Sequence, residues 1–350
     1  MNTTPIDRVR IFNRERFQVA EFRASVQRSW TLNGEGRAQF TYPNRKSDVV
    51  NESVLNYGNY LLVENSSLPA WVGVIDTPRS WTADNVTVSA YTPERILQYR
   101  IGELNKTVTA PAGAIFEYII NRVNLAESTA FEVGAIYRGG ISRQETFNPK
   151  PLSDSLRRIQ ERSKEDYLFF PRIESDGRLT IVAEWYQKAG MDFDIALSQG
   201  KGGGNIEATN YGLMVEDGEI RNELLGYGAG ASWASKPNAK TTDISSIYKY
   251  GLRQKAIEYN SVRTVAGLVD NINTEIVKSA HSIKRFGINA LNVGDTFRYI
   301  NIGNSLDLQF ENFGFFDGVV GYKGRVRIIG MSYDPTNKNK INVVLEEINE

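Results

Sequence analysis

The sequence predicts a β-rich α+β protein, with β-units at both ends of the chain and helical matter between them. Three observations carry that prediction. Apolar and polar residues alternate with period two through much of the first hundred residues and again near the C-terminus. Two central segments, 111–124 and 151–166, instead place apolar side chains at helical spacing. Clusters of Gly, Asn, Asp and Pro separate the runs where antiparallel strands need turns.

In chain order, VRIFN (9–13), the stretch from Phe17 to Trp30, and RAQFTYP (37–43) read as strands, the last two joined through Asn33-Gly34-Glu35-Gly36. VNESVLNY (50–57) reads as a short helix or turn, with Gly58 as its C-cap. YLLVEN (60–65), WVGVID (71–76) and NVTVSAY (85–91) are further strands. Asp76-Thr77-Pro78-Arg79 carries turn chemistry, because proline pre-sets φ and aspartate bonds to its own backbone, so the chain is expected to reverse there.

PERILQYR (93–100) is expected as a short helix opened by Pro93. In PAGAIFEYIINRVN (111–124) the side chains of Ile115, Tyr118, Ile119 and Val123 share a stripe; FEVGAIY (131–137) is strand-like, and RGGISRQETFNPK is a loop. PLSDSLRRIQERSKED (151–166) is a helix facing in through Leu152, Leu156 and Ile159. DYLFFPRIESDGRLTIVAEWYQ (166–187) is a hairpin whose Gly177 supplies the positive φ of a tight turn. The glycine-rich segment 198–212 leads into a strand-like 220–233, and residues 243–285 read as the longest helical stretch, with Val262, Val265, Leu268, Val269, Ile272, Ile276, Val277 and Ala280 near a 3.6-residue period. Strands TFRYIN (296–301), GRVRIIGMSYD (324–334) and KINVVLEEI (340–348) close the chain.

At 350 residues the chain has room for two or three domains of roughly 150 residues. Lys+Arg and Asp+Glu are both 41, giving a formal charge of +0 with no block of one sign. That balance argues against a dedicated nucleic-acid or membrane-surface binder, whose affinity rests on clustered Lys and Arg. Cysteine is absent, which removes disulfides, thiolate nucleophiles and cysteine-ligated zinc. The N-terminal residues lack a signal-peptide pattern and no apolar run is long enough to span a bilayer, so a soluble protein made in a cytoplasm is expected.

The chemical candidates are sparse. Asp192 and Asp194 in MDFDIAL present two hard oxygens on one side, as a divalent-cation site does, but that spacing also belongs to the solvent face of a strand with Phe193 and Ile195 turned in. QGKGGGN (199–205) lacks the Gly-Lys-Ser/Thr order of a phosphate loop and reads as a mobile loop. His281 has no second histidine and no cysteine to share a metal, and no serine sits in a nucleophile elbow, so it is read as structural or surface-exposed. Paired carboxylates for glycoside cleavage depend on three-dimensional spacing, and Glu132, Glu174, Asp176, Glu184, Glu216, Asp217 and Glu219 are equally readable as a solvated face. No catalytic, cofactor or metal residue is assigned.

The order of features resembles the tail-tip or baseplate hub proteins of long-tailed bacteriophages and related phage-derived particles. The matching residues are Trp30, Gly34 and Phe40, then VLNYG (54–58) leading into YLLVEN, then WVGVI (71–75) and NVTVSAYTPERILQYR. Past the insert come the helix-plus-hairpin segment from Pro151 to Trp185, NELLGYGAG (222–230), YKYGLRQKAIEYN, VGDTFRY and the closing strands. The resemblance implies two tail-tube-type antiparallel β-barrel domains: residues 1–105, and residues 176–350 with a long helical insertion at about 243–285, separated by an α/β insert region at 106–175. It also implies a structural, non-enzymatic role. A homotrimer would present six similar barrels to the tail tube or distal tail protein, carry tail fibre or spike proteins, and let the tape-measure protein and DNA pass through its lumen without sequence-specific contact. The location implied is the virion, after assembly in the host cytoplasm, with no cofactor and no stable membrane insertion. Interface residues then matter most, and Trp30 and Trp81 are the candidates, since exposed aromatic side chains are favoured anchors. Two other readings are a tail-associated cell-wall hydrolase using paired carboxylates and a receptor- or glycan-binding adaptor.

Overall fold

The computed structural model describes residues 7–43, 53–199, 204–216, 220–230, 235–259, 262–316 and 319–348. The first part of the chain contributes β1 (Asp7–Phe12), β2 (Gln18–Ala24), β3 (Val26–Thr31), β4 (Arg37–Pro43), β5 (Tyr60–Asn65), β6 (Leu68–Trp81) and β7 (Asn85–Tyr91). A mixed segment follows with α1 (Glu94–Gln98), β8 (Thr107–Ala110), α2 (Ala112–Ala126), β9 (Phe131–Ile136), β10 (Arg143–Thr146), α3 (Leu152–Ser163), β11 (Asp166–Ile173) and β12 (Leu179–Tyr186). The remainder contains β13 (Asp192–Gln199), β14 (Ile206–Glu216), β15 (Glu223–Tyr227), β16 (Asn238–Thr242), α4 (Ile244–Tyr250), β17 (Gln254–Glu258), α5 (Val265–Ser279), β18 (Ile283–Leu291), β19 (Ser305–Phe316), β20 (Val319–Tyr333) and β21 (Lys340–Glu347). These form two compact units, one of Met1–Gly212 with Phe286–Glu350 and one of Leu213–Arg285.

The first unit is organised by a 13-stranded sheet ordered β14-β18-β21-β20-β3-β4-β7-β6-β5-β1-β2, with β19 pairing β20 and β13 pairing β19. Strands from the two ends of the chain meet in the antiparallel pairing of β3 with β20, where Trp30 lies opposite Met331 and Arg28 opposite Tyr333. The alternation read in β1 to β7 sends Val9, Ile11, Val26, Phe40, Val63, Ile75 and Val88 into one shared core. Phe22 of β2 packs on Phe40 and Tyr42 of β4, with ring centroids 5.7 and 4.7 Å apart, so side chains connect strands that share no ladder.

β5 and β6 are buried on both faces, which explains why YLLV and WVGVI are continuous apolar runs. Leu61, Val63, Trp71 and Ile75 face the core of the β-half. Tyr60, Leu62, Val72 and Val74 face a second core built with α2, α3 and the three-stranded sheet β11-β12-β9. Gly73 is required here, because a Cβ would stand 2.1 Å from the Tyr91 carbonyl oxygen and 2.5 Å from the Trp71 ring. The α2 stripe contains Ile115, Ile119 and Val123 as expected, and also Phe116 and Ile120; Tyr118 is half-buried. In α3, Leu152, Leu156 and Ile159 are buried, and the hairpin of β11 and β12 turns at Gly177, whose φ is +83°.

Four expectations are corrected. The chain does not reverse at Asp76-Thr77-Pro78-Arg79: β6 continues to Trp81 and the reversal comes at Thr82–Asn85. Asp76 accepts a hydrogen bond from the Thr77 N–H at 2.7 Å, but the ladder to β7 slips here, with Asp76 opposite Ser89 and Arg79 opposite Val88. Pro78 sits in that irregularity, where a missing N–H costs least, and the renewed pairing of Ser80 and Trp81 outweighs local turn chemistry. Residues 296–301 are not a strand, because Gly294 and Asp295, both at positive φ, turn the chain into a single 3-10 turn, Thr296–Arg298, that buries Phe297 and Ile300 three residues apart. Residues 243–285 are not one helix: α4 ends at Gly251, with φ +74°, and β17 pairs in parallel with β15 before α5 begins. The segment 138–150, expected to be loop, holds β10, which pairs with β8.

The second unit is a three-stranded sheet, β16-β15-β17, with α5 packed against it. Its core is Leu224, Ile272, Ile276 and Ala280. Asp243 caps α4 by accepting from the Ser246 N–H at 2.9 Å, and Thr264 caps α5 by accepting from Gly267. Val265, Val269 and Val277, expected on the inner stripe, are exposed.

Candidate interaction surfaces

The tryptophans of the first β-half occupy different environments. Trp81 ends β6 opposite Val86 and is 43% exposed, whereas Trp71 is a core residue at 1% exposure whose indole N–H donates to the Ser29 carbonyl at 3.0 Å. Trp30 is half-buried at the β3–β20 seam. Beside it the Arg28 guanidinium pairs with Asp7 at 2.9 Å, both side chains at 0% exposure, and lies 5.5 Å from the Trp30 ring centroid and 5.1 Å from that of Tyr333. Burial holds the Arg28 pKa below its usual range despite Asp7. Sequence reasoning named Trp30 but missed Arg28, which alternation places on the inner face of β3, where a charge is not expected.

The opposite face of the same strands is polar across the seam. Ser332 lies opposite Ser29 on one side and Asn342 on the other, while Gln27 faces Gln39 and Gln39 faces Ser89. Asn342 donates to Asn289 at 3.3 Å, so the row crosses strands from both ends of the chain. A depression of about 520 Å³ overlies it, lined by these residues other than Ser89 together with Arg28, Arg37, Tyr333, Asp334, Asn337 and Lys340.

A second cleft, of about 390 Å³, is lined by Arg14, Tyr57, Asp76, Arg95, Tyr99, Arg100 and Glu127 among others. Its charges are paired: Arg95 Nε is 3.0 Å from Asp76, Tyr99 donates to Asp76 at 2.5 Å, and Arg100 binds Glu127. The hydrogen bond to Asp76 pushes the Tyr99 phenol up from its ordinary pKa. Arg95 also lies 3.8 Å from the Tyr91 ring centroid and Arg79 3.9 Å from that of Tyr57. Guanidinium on aromatic, as here, is the composition interfaces favour.

The chemical candidates do not converge. Asp192 and Asp194 are on the exposed side of β13, with Phe193 and Ile195 half-buried, and Asp192 is 3.7 Å from Arg325. Residues 200–203 of the glycine-rich loop, and Asp217 and Glu219, lie outside the described residues. His281 Nε2 is 3.1 Å from Asp243 on the surface of the second unit. Glu132 and Glu174 share Arg172, Asp176 pairs with Arg178, and Glu184 accepts from Tyr186. Among the described residues, no three His, Cys, Asp or Glu side chains form a metal-holding group, and no helix is long and apolar enough to cross a membrane.

No family model and no curated protein matches the sequence. The fold does match solved structures. A prophage tail protein from Listeria monocytogenes EGD-e superposes with a TM-score of 0.61 at 13% identity, covering 98% of this chain and 95% of that one. The 43 kDa tail protein of prophage MuSo2 from Shewanella oneidensis gives 0.63 at 11% identity, covering 97% and 98%. A tail protein from Neisseria meningitidis MC58 gives 0.61 at 12% identity, covering 98% and 96%. These three structural neighbours are tail proteins, two of them from prophages, matched over nearly the whole length of both partners.

Proposed function

We propose that this chain is the structural hub of a phage tail tip or baseplate, three copies of which close into a pseudo-sixfold ring that joins the tail tube to the tip and fibre proteins. The observation that carries the reading is the β3–β20 pairing, which sets a β-half from each end of the chain side by side with one polar face across both. In this reading residues 1–105 and 176–350 supply the two tube-type barrels of each protomer, and residues 106–175 form an insert reaching toward neighbouring tip proteins. The polar face, with few apolar side chains to grip a passing chain, faces the channel through which the tape-measure protein and DNA leave. Trp81 is the proposed contact to an adjacent subunit or tube protein, and Trp30 a second contact near the seam. The role is non-enzymatic, in keeping with the dispersed and ion-paired carboxylates, and the site of action is the virion.

Cryo-electron microscopy of assembled particles, classified at the tail tip without imposed symmetry, tests this. Three copies of the chain around the tube axis, with the Ser332-Ser29 row turned inward, is the expected result. A peripheral position or another copy number overturns it.

A further inference from the structure

One cavity of the first unit, lined in part by Trp30, contains a buried carboxyl oxygen with no hydrogen-bond partner among the described residues. It measures about 300 Å³ and lies where β11 runs past β6. Its floor is formed by the buried residues Trp71, Glu94 and Tyr167; Trp30 and Phe170 stand in its walls, and Thr31 and Ala70 are exposed at its mouth. Glu94 opens α1 directly after Pro93 and is buried there. The residue is 9% exposed, and its Oε2 has no hydrogen-bond partner among the described residues. Among the described residues, no Lys, Arg or His lines the cavity.

A carboxylate oxygen buried without a donor is costly, and the groups that relieve it best are cations that hydrogen bond. Aromatic walls narrow the choice further, because ring faces attract ammonium and guanidinium groups. The geometry points to a socket for one basic side chain, a lysine or arginine presented by another protein, which bonds Glu94 at the floor and passes between Trp30 and Phe170 at the walls. The occupant comes from outside the chain, since the cavity supplies the acceptor and the rings but no cation. An uncharged apolar side chain would fill the same space and leave Oε2 unsatisfied.

Two further groups act on Glu94. Glu35 raises its pKa, and Tyr167 feels its charge. Thr92 and the backbone N–H of Glu94 favour the charged form, but burial dominates and pushes the pKa up to about 7. Tyr167 is held well above its ordinary value by burial and stays neutral through that range. The socket therefore binds cations better at pH 8 than at pH 6, and substitution of Glu94 removes that dependence whereas a dependence arising at Glu35 survives it.

The test uses the full chain labelled with 5-fluorotryptophan, titrated with N-acetyl-lysine methylamide and, separately, with its uncharged Nε-acetyl form. Saturable ¹⁹F shifts at Trp30 and Trp71 with the charged probe at pH 8 are expected, weakened about tenfold in Glu94→Gln, as loss of a charge-assisted bond implies. Ala70→Trp, at the exposed mouth, should abolish the shifts without touching the floor. Equal binding of the uncharged probe, unchanged binding in Glu94→Gln, or no saturable shift with the charged probe overturns the proposal.

Discussion

The seven-strand half of the sheet and the unit of residues 213–285 are both β-structures with short turns, yet different forces hold them. Among the described residues, sixteen buried side chains form the core cluster of the first, from Val9 to Ala90, and its strands bury apolar surface along the alternation. The core cluster of the second has four, Leu224, Ile272, Ile276 and Ala280. There a buried polar side chain does what apolar area does elsewhere: Asn222 donates to Ser246 Oγ at 3.2 Å and to the Gly251 carbonyl at 2.7 Å, and accepts from the Arg253 N–H at 2.7 Å. One region is stabilised by many interchangeable contacts, the other by few specific ones. Small cores are sensitive to single losses for that reason.

Three substitutions sharpen the contrast. The largest effect is expected at the seam of the first unit, where Asp7→Ala leaves the Arg28 charge buried without its partner and costs about 3–5 kcal/mol; chemical denaturation of the full chain reads it. In the second unit Asn222→Ala removes three hydrogen bonds, leaving the Gly251 carbonyl and the Arg253 N–H without that partner while Ser246 Oγ keeps its bond to Ala280, and costs about 2–3 kcal/mol. Hydrogen exchange should quicken in β15 to α5 while β1 to β7 keep their protection; a uniform increase across both units would break the comparison. The smallest effect is at Glu94. Its folded pKa lies above the ordinary 4.5, at about 7. The neutral form is therefore favoured by folding, so stability is highest at low pH and falls as pH rises through this interval. Glu94→Gln should raise stability at pH 8 by about 1–3 kcal/mol and leave it nearly unchanged at pH 4, visible as a Tm that no longer declines between those pH values.

Most elements with strong periodicity were legible in the sequence. RAQFTYP, YLLVEN and NVTVSAY coincide with β4, β5 and β7, and the helices at 111–124 and 151–166 and the hairpin after them are where the spacing puts them. The failures share a cause. At Asp76-Arg79, Gly251 and Gly294-Asp295, local turn signals were either overridden by continued strand pairing or overlooked inside an apolar pattern, and partners distant in sequence decide which happens. β19 also escaped reading, since its partners are β20 and, in parallel, β13 more than a hundred residues earlier. Of the interaction surfaces, the sequence singled out Trp30 and Trp81, and the structure leaves the first half-buried and the second 43% exposed. Arg28 and Glu94 were invisible: a charged residue in a strand and a glutamate in the first turn of a helix both read as solvated until burial is known.

The seam has a kinetic consequence. β3 and β20 are separated by almost the whole length of the chain, so their pairing closes one of the longest loops the sequence allows. During synthesis the N-terminal half-sheet emerges with the outer edge of β3 unpaired, and it waits until β20 has left the ribosome before that neighbour arrives. Contacts of such high order form late. The continuous face that spans both halves therefore forms only once β20 has been made, and a chain that stops before β20 cannot display it.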